Sequence, residues 1–165
     1  LQKVHGISPA DALTAHSLAI VALTLGCIFY GRLIDSLGSG PTFVLGSLLL
    51  AGATYAFYHS LAAGMDQLVP LYMLAGFAVG IVGAVPYVMV NAFPPVVRFS
   101  GLSFSYNVAY AIFGGLTPML VTLWMKNDVL APSHYVVSLA GLGFVLGLWL
   151  WLRQRTRRQV TPQTA

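Results

Sequence analysis

The residues of this chain best suited to polar chemistry lie inside one long apolar run and recur at helical spacing. They are a serine, an amide, a phenol, a glycine and a threonine at intervals of four, three, four and three: Ser103, Asn107, Tyr110, Gly114 and Thr117. In an α-helix this spacing places all five on one face. Polar groups in a membrane-spanning helix face the bundle interior or a water-filled cavity, so the stripe predicts a pathway wall. The alternative is that these groups only bond across packed helices.

A second helical face lies in the preceding apolar run and combines two tyrosines with three glycines. Its members are Tyr72, Gly76, Gly80, Gly83 and Tyr87. Gly76 and Gly80 form a GxxxG pair, which favours close packing of another helix in a groove. The alternative interpretation is a flexible gating helix. Tyr87 is also a candidate for lining the translocation path, as is His16 of the first apolar run.

His16 is a titratable group inside the first apolar run and is therefore a proton-relay candidate. It lies only about one helical turn from the expected interface, so a hydrated histidine is the alternative. The other histidines, His5, His59 and His134, fall in connectors and do not cluster at metal-ligand spacing. The sequence therefore predicts neither a metal nor a cofactor.

Catalytic motifs are absent from the sequence, which contains no phosphate loop, acid dyad, Gly-x-Ser-x-Gly or Cys-x-x-Cys. Its four acids sit in four different connectors: Asp11, Asp35, Asp66 and Asp128. His16 is the only base within an apolar run. We therefore expect a protein that is not an enzyme.

Five apolar runs without any Asp, Glu, Lys or Arg must position these groups. The runs cover residues 13–30, 41–58, 68–90, 102–124 and 135–152. About 20 helical residues cross a bilayer core, so each run is long enough to span it. Hydrophobic residues make up 58% of the chain and charged residues 7%, against about 25% charged in soluble domains. The prediction is an all-α membrane protein with five transmembrane helices in residues 1–152.

Short connectors predict an up-and-down bundle, which places the two chain ends on opposite sides of the membrane. One side then holds Arg32, Arg98 and four tail arginines, and the other holds Lys3 and Lys126. The positive-inside rule places the larger group, and with it the basic tail of residues 153–165, in the cytoplasm. Because four of the eight basic residues follow a span directly, the net charge of +4 suits a membrane surface and predicts no nucleic-acid partner.

Two glycine and proline features predict how the spans pack. Spans two and five are plain and are expected at the periphery, although Gly143 and Gly147 would let one neighbour approach span five closely. In span four, the glycines at 114 and 115 followed by Pro118 predict a local bend.

Two segments resemble a known transporter family. Gly31-Arg32-Leu33-Ile34-Asp35-Ser36-Leu37-Gly38 is similar to the Gly-x-x-x-Asp-Arg-x-Gly loop signature of the major facilitator superfamily. Residues 93–107, continuing into 111–118, resemble the loop and penultimate helix of its metabolite:proton symporters, which include proline/betaine, 2-oxoglutarate, citrate and shikimate carriers. The opening residues 1–4 resemble the end of that family's seventh helix. Together these segments resemble helices eight to twelve of a twelve-helix transporter.

The resemblance implies a function and roles for particular residues. It implies the C-terminal part of a proton-coupled symporter for small organic acids or zwitterions, in a bacterial-type inner membrane. It also implies that the N-terminal half is missing, that spans three and four help to wall the central path, and that spans two and five are peripheral. The cytoplasmic hinge loops would contain Gly31, Asp35, Gly38 and Arg98. The competing hypothesis is a small standalone membrane scaffold or assembly subunit.

Overall fold

The computed structural model describes residues 8–64 and 68–160, with side chains for 8–64 and 69–156. The opening segment 1–4, the tail residues 161–165 and the side chains of Arg157 and Arg158 lie outside the described part. Within that part the helices are α1 Pro9–Leu37, α2 Ser39–Ala62, α3 Leu68–Val79, α4 Val85–Ala92, α5 Arg98–Ala109, α6 Gly115–Trp124 and α7 Ala131–Val160.

The prediction of five apolar helices long enough to span a membrane is confirmed. Helices α3 and α4 form one span through a 3₁₀ segment, Gly80–Ala84, and α5 and α6 form another through a π-helical segment, Tyr110–Gly114. Counted in this way, span one is α1, span two is α2, span three is α3–α4, span four is α5–α6 and span five is α7. The protein is therefore an all-α, multi-pass membrane protein.

Local sequence signals account for the beginning of α1. Ser8 caps the helix, because its Oγ accepts a hydrogen bond from the backbone N–H of Asp11 at 3.1 Å. Pro9 occupies the first turn, where a missing N–H costs no helical hydrogen bond. Asp11 adds a negative charge beside the positive end of the helix dipole. These three residues together fix the beginning of α1.

The helix of span one is longer than the charge-free run of residues 13–30, because α1 continues to Leu37. Ile34 is 4% exposed and packs with Tyr30 and Phe43, so two more helical turns bury apolar surface. The helix ends at Gly38, whose φ of +87° suits glycine and whose N–H bonds to the Ile34 carbonyl at 2.9 Å. The segment predicted as a loop is therefore mostly the end of a helix.

Proline accounts for both departures from α-helical geometry inside spans. Pro86 lacks the N–H that would bond the carbonyl of Val82 four residues earlier. The N–H of Val85 bonds that carbonyl instead, which produces the 3₁₀ turn. In span four the π-helical segment ends at Gly114, four residues before Pro118. The structure has a π-helical turn next to the place where the two glycines and Pro118 predicted a local bend.

Helix α1 and span three pack through small residues, so closely that their backbones are almost in contact. A Cβ on Gly76 would meet the Ala19 carbonyl, and a Cβ on Gly80 would lie 2.7 Å from the Cα of Gly26. Within the described part of the chain, most of the buried core positions are alanine, whereas Leu25 and Leu142 are among many exposed large side chains. Gly76 and Gly80 therefore form a packing groove, as one of the two interpretations predicted.

Helices α2 and α7 pack in the same manner. A Cβ on Gly147 would lie 2.8 Å from the backbone nitrogen of Val44, and one on Gly143 would lie 2.7 Å from Ser47 Oγ. At the end of this contact, a Cβ on Gly40 would lie 2.5 Å from the backbone nitrogen of Trp151. The close neighbour expected beside Gly143 and Gly147 is therefore α2.

The expectation that span two is peripheral was wrong for the described bundle. Half of the apolar stretch of α2 is buried, compared with 11% of the stretch in α7 and none of it in span four. Small side chains along α2, among them Ser39, Ser47 and Ala53, let α7 and α3 approach it together. Within the described residues, α2 is therefore the most enclosed helix.

The packing predicts different effects of substitution for two glycines of α7. Gly147→Ala should lower the free energy of unfolding by about 1–3 kcal/mol, because the added methyl group overlaps the backbone of α2. Gly141→Ala is the matched control: no atom lies within 4 Å of its Cβ position, so stability should change by no more than about 1 kcal/mol. Reversible unfolding in detergent, followed by circular dichroism, measures both. Equal stability of the two variants would contradict close α2–α7 packing.

Candidate functional site

Part of the polar stripe of span four forms hydrogen bonds within its own helix. Asn107 Nδ2 donates to the Ser103 carbonyl at 2.8 Å and lies 3.4 Å from Ser103 Oγ. The Tyr106 and Tyr110 rings stack at 5.0 Å between centroids. Asn107 remains exposed, and Tyr110 is 62% exposed. The structure therefore brings Ser103 and Asn107 together on a helix face that the described helices leave uncovered.

The C-terminal residue of the stripe, Thr117, contacts α7. Thr117 Oγ1 and Tyr135 OH lie 2.6 Å apart and form an interhelical hydrogen bond. The two residues also line an open groove of about 470 Å³, whose other side chains are mainly apolar and include Tyr110, Phe113 and Leu139. For Thr117 the contact agrees with the interhelical-bond interpretation. Sequence reasoning missed Tyr135, whose position as the first residue of an apolar run carried no signal of its partner.

The uncovered half of the stripe has an energetic consequence. An amide or hydroxyl exposed to hydrocarbon without a partner costs several kcal/mol on water-to-alkane scales, roughly 4–8. Since none of the apolar stretch of span four is buried and Asn107 bonds within the helix only through its amide nitrogen, the Asn107 amide oxygen needs water or a further element against this face. The arrangement suits a surface that borders a hydrated space better than a lipid-facing helix.

His16 is joined to span three. Its Nδ1 lies 3.0 Å from Tyr72 OH, and the two rings stack at 6.1 Å between centroids. Tyr72 in turn stacks on Phe57 of α2 at 5.0 Å. The pair can exchange a proton along its hydrogen bond, because each group is both donor and acceptor. No hydrogen bond of the described residues connects this pair to the stripe of span four.

The residues of the loop signature lie at one end of the bundle, with different surroundings. Gly38 forms the turn between α1 and α2, where its positive φ favours glycine. Asp35 is exposed in the last turn of α1, and no atom lies within 4 Å of a Cβ built on Gly31. Arg98 begins α5, and its Nε donates to the Phe93 carbonyl at 3.3 Å. Gly38 and Arg98 thus shape turns, whereas the packing does not require glycine at position 31.

A pocket of about 630 Å³ with both polar and apolar side chains in its lining lies at this same end, and the sequence did not predict it. It lies between the start of α2 and the ends of α4 and α7, and Gln154 Nε2 donates to Ser39 Oγ at 2.7 Å across it. Tyr87 and Asn91 line it, with Asn91 Nδ2 donating to the Tyr87 carbonyl at 2.7 Å. The four-residue spacing of Tyr87 and Asn91 signalled a shared face, but nothing in the sequence pairs Ser39 with Gln154.

The opposite end of α7 carries a charged turn. His134 Nδ1 lies 2.9 Å from Asp128 Oδ2, while Asp128 Oδ1 accepts from the Leu130 N–H at 2.8 Å. This pair fixes the α6–α7 connection. Across residues 8–64 and 68–160, no three His, Cys, Asp or Glu side chains come close enough to hold a metal ion.

Comparison with known proteins relates the chain to curated transporters. It is 26% identical over 131 residues to a putative proline/betaine transporter of Staphylococcus aureus (strain COL), a match that covers 76% of this chain and 28% of the relative. It is 27% identical over 140 residues to the proline/betaine transporter of Salmonella typhimurium, covering 79% and 28%. It is 29% identical over 143 residues to a glycine betaine/proline/ectoine/pipecolic acid transporter of Dickeya dadantii, covering 81% and 28%.

These matches cover most of this chain but only 28% of the length of each of these three relatives. No protein-family model matches the chain, and no solved structure does. The chain is therefore a multi-pass membrane protein that is similar to transporters over most of its length.

The Thr117–Tyr135 contact predicts measurable coupling between spans four and five. In a double-mutant cycle, Thr117→Val and Tyr135→Phe should each destabilise the protein, and their effects should fall short of additivity by about 0.6–1.7 kcal/mol. Thr122→Val is the matched control, because the Thr122 hydroxyl bonds the Pro118 carbonyl of its own helix. Unfolding in detergent measures the four corners of the cycle. Full additivity of Thr117→Val with Tyr135→Phe would mean that the bond between these two side chains does not stabilise the protein.

Proposed function

We propose that the chain is the C-terminal part of a proton-coupled secondary transporter for small zwitterionic metabolites of the proline and betaine class. The observation that carries the proposal is the match of about three quarters of the chain to proteins named proline/betaine transporters. The resemblance of residues 93–107 and 111–118 to the major facilitator superfamily points the same way. The described helices would then correspond to helices eight to twelve of that fold.

The charges within the spans favour a zwitterion over an organic acid among the predicted substrates. The five apolar runs contain no Asp, Glu, Lys or Arg, so this part of the protein offers no cation to an anionic substrate. A zwitterion has no net charge and is served by neutral dipoles such as the Asn107 amide and the Tyr110 hydroxyl. The charged groups for substrate and proton would come from the other half of the carrier.

We assign the uncovered face of span four to the wall of the translocation path. Ser103, Asn107 and Tyr110 would border it, while Thr117 would hold span four against α7. Alternating-access carriers bind substrate near the midplane between two halves that rock against each other. Because this chain supplies at most one half, it would not transport alone. Its partners would be the substrate, protons, lipid and the missing N-terminal half.

The remaining candidates receive secondary roles in this proposal. The His16–Tyr72 pair would relay protons near the outer end of the bundle, and Tyr87 would lie near the inner end of the path. Asp35 and Arg98, with the turn at Gly38, would serve the cytoplasmic hinge. The arginine distribution supports an inner-membrane protein with its C-terminus in the cytoplasm.

The path assignment is tested in the complete carrier with Asn107→Ala. Uptake of radiolabelled proline or glycine betaine should fall by about tenfold, since loss of a hydrogen bond to substrate costs on the order of 1–1.5 kcal/mol. Ser105→Ala is the matched control, because it removes a small polar group from another face of α5. Membrane insertion of both variants is checked by quantitative blotting of membrane fractions.

Unchanged uptake kinetics of Asn107→Ala would remove this residue from the path. The scaffold hypothesis is separated from the carrier by the reading frame upstream of Leu1. The carrier requires seven further spans there, whereas a standalone subunit requires a start codon and no adjoining helices.

A further inference from the structure

The pocket of about 630 Å³ at the arginine-rich end of the bundle has polar donors on one part of its lining and apolar side chains on the rest. Ser39 of α2, Asn91 of α4 and Arg153 and Gln154 of α7 line a space of about 630 Å³. Hydroxyl, amide and guanidinium groups all donate hydrogen bonds to phosphate oxygens. We propose that this pocket binds the phosphate headgroup of an anionic phospholipid.

The charge around the pocket is complementary to an anion. Arg32, Arg98, Arg153 and Arg155 have described side chains at this end, against one acid, Asp35. Each arginine near a membrane surface contributes about 1 kcal/mol to attraction of anionic lipid. The pocket itself is lined by Arg153 and by no acidic side chain.

An aromatic side chain positions the arginine at the level of the headgroups. The Arg153 guanidinium carbon lies 4.9 Å from the centre of the Trp149 ring, within cation–π distance. Trp149 also lines the pocket, and indoles favour the interface between headgroups and hydrocarbon. Stacking therefore reduces the side-chain entropy that Arg153 would lose on binding phosphate.

An apolar track leads from the pocket toward the bilayer centre. Leu139, Leu142, Leu146 and Trp149 are spaced by three, four and three residues and share one face of α7. All four are more than 40% exposed, and Leu142 is 68% exposed. The ten helical steps from Leu139 to Trp149 rise about 15 Å, which is half of a hydrocarbon core of about 30 Å.

This track selects a lipid over a soluble phosphate as the occupant. Leu146 and Trp149 line the pocket, and Leu139 lines the apolar groove between α7 and span four. A diacyl lipid with its phosphate beside Arg153 would therefore lay one chain along a leaflet-length apolar surface. A free phosphate would leave that surface unused. The inference does not depend on the transport function, because it concerns only the bundle and its membrane.

The test compares two arginines with the same charge and the same type of stacking. Arg155 lies 4.8 Å from the centre of the Trp151 ring but does not line the pocket, so Arg155→Gln is matched to Arg153→Gln. The purified chain is titrated with phosphatidylglycerol and with phosphatidylcholine of identical acyl chains, and bound lipid is counted by native mass spectrometry. Arg153→Gln should weaken phosphatidylglycerol binding about fivefold and Arg155→Gln less than about twofold, with phosphatidylcholine unaffected.

A competition experiment and a second variant complete the test. Glycerol 3-phosphate should fail to displace the lipid at millimolar concentration; displacement would indicate a free-phosphate site and overturn the proposal. If Arg153→Gln does not purify as a monodisperse helical protein, Asn91→Ala takes its place with the same expectation. Equal losses for Arg153→Gln and Arg155→Gln would mean diffuse attraction by the basic tail, and no loss for either would mean no site.

Discussion

Close approach of helix backbones is the constraint on which the rest of this bundle depends. Lipid tails are as apolar as leucine, so helices in a membrane gain little by burying large apolar side chains against each other. They gain dispersion contacts and shape complementarity where small residues meet. Gly26 and Gly80 join α1 to span three, and Gly40 and Gly147 join α2 to α7. The result is a protein with alanine and glycine inside and leucine outside.

Span four departs from this constraint, and the candidate site follows from the departure. No atom lies within 4 Å of a Cβ built on Gly114 or Gly115, so its glycines make no close backbone contact of the kind that joins the other helices. Its attachment to α7 depends on side chains, chiefly the bond between Thr117 and Tyr135. Because Asn107 lies on a face without such packing and bonds Ser103 only through its amide nitrogen, its amide oxygen must be matched by water or by another element. A polar path wall in a carrier has these properties.

The number and type of the elements were predictable, but their partners were not. Charge-free runs such as 102–124 identify spans because hydrocarbon excludes charge, yet they do not locate helix ends. Helix α1 passes Gly31 because Ile34 finds a buried site beside Phe43, a tertiary contact. The GxxxG pair predicted a close contact, since glycine allows it whatever the neighbour. The Ser39–Gln154 and Thr117–Tyr135 bonds join different helices, and their formation depends on how those helices dock.

Helices held by close backbone contacts resist displacement more than span four, which is held by side chains. Displacing α1, α2, α3 or α7 relative to its neighbour breaks contacts between backbones, which cannot adapt by changing rotamer. Displacing span four requires mainly the exchange of one side-chain hydrogen bond and the sliding of apolar groups along a groove. The π-helical turn and Pro118 further interrupt its regular backbone hydrogen bonding. We therefore expect rearrangements of this bundle to occur first at span four, which presents the polar stripe.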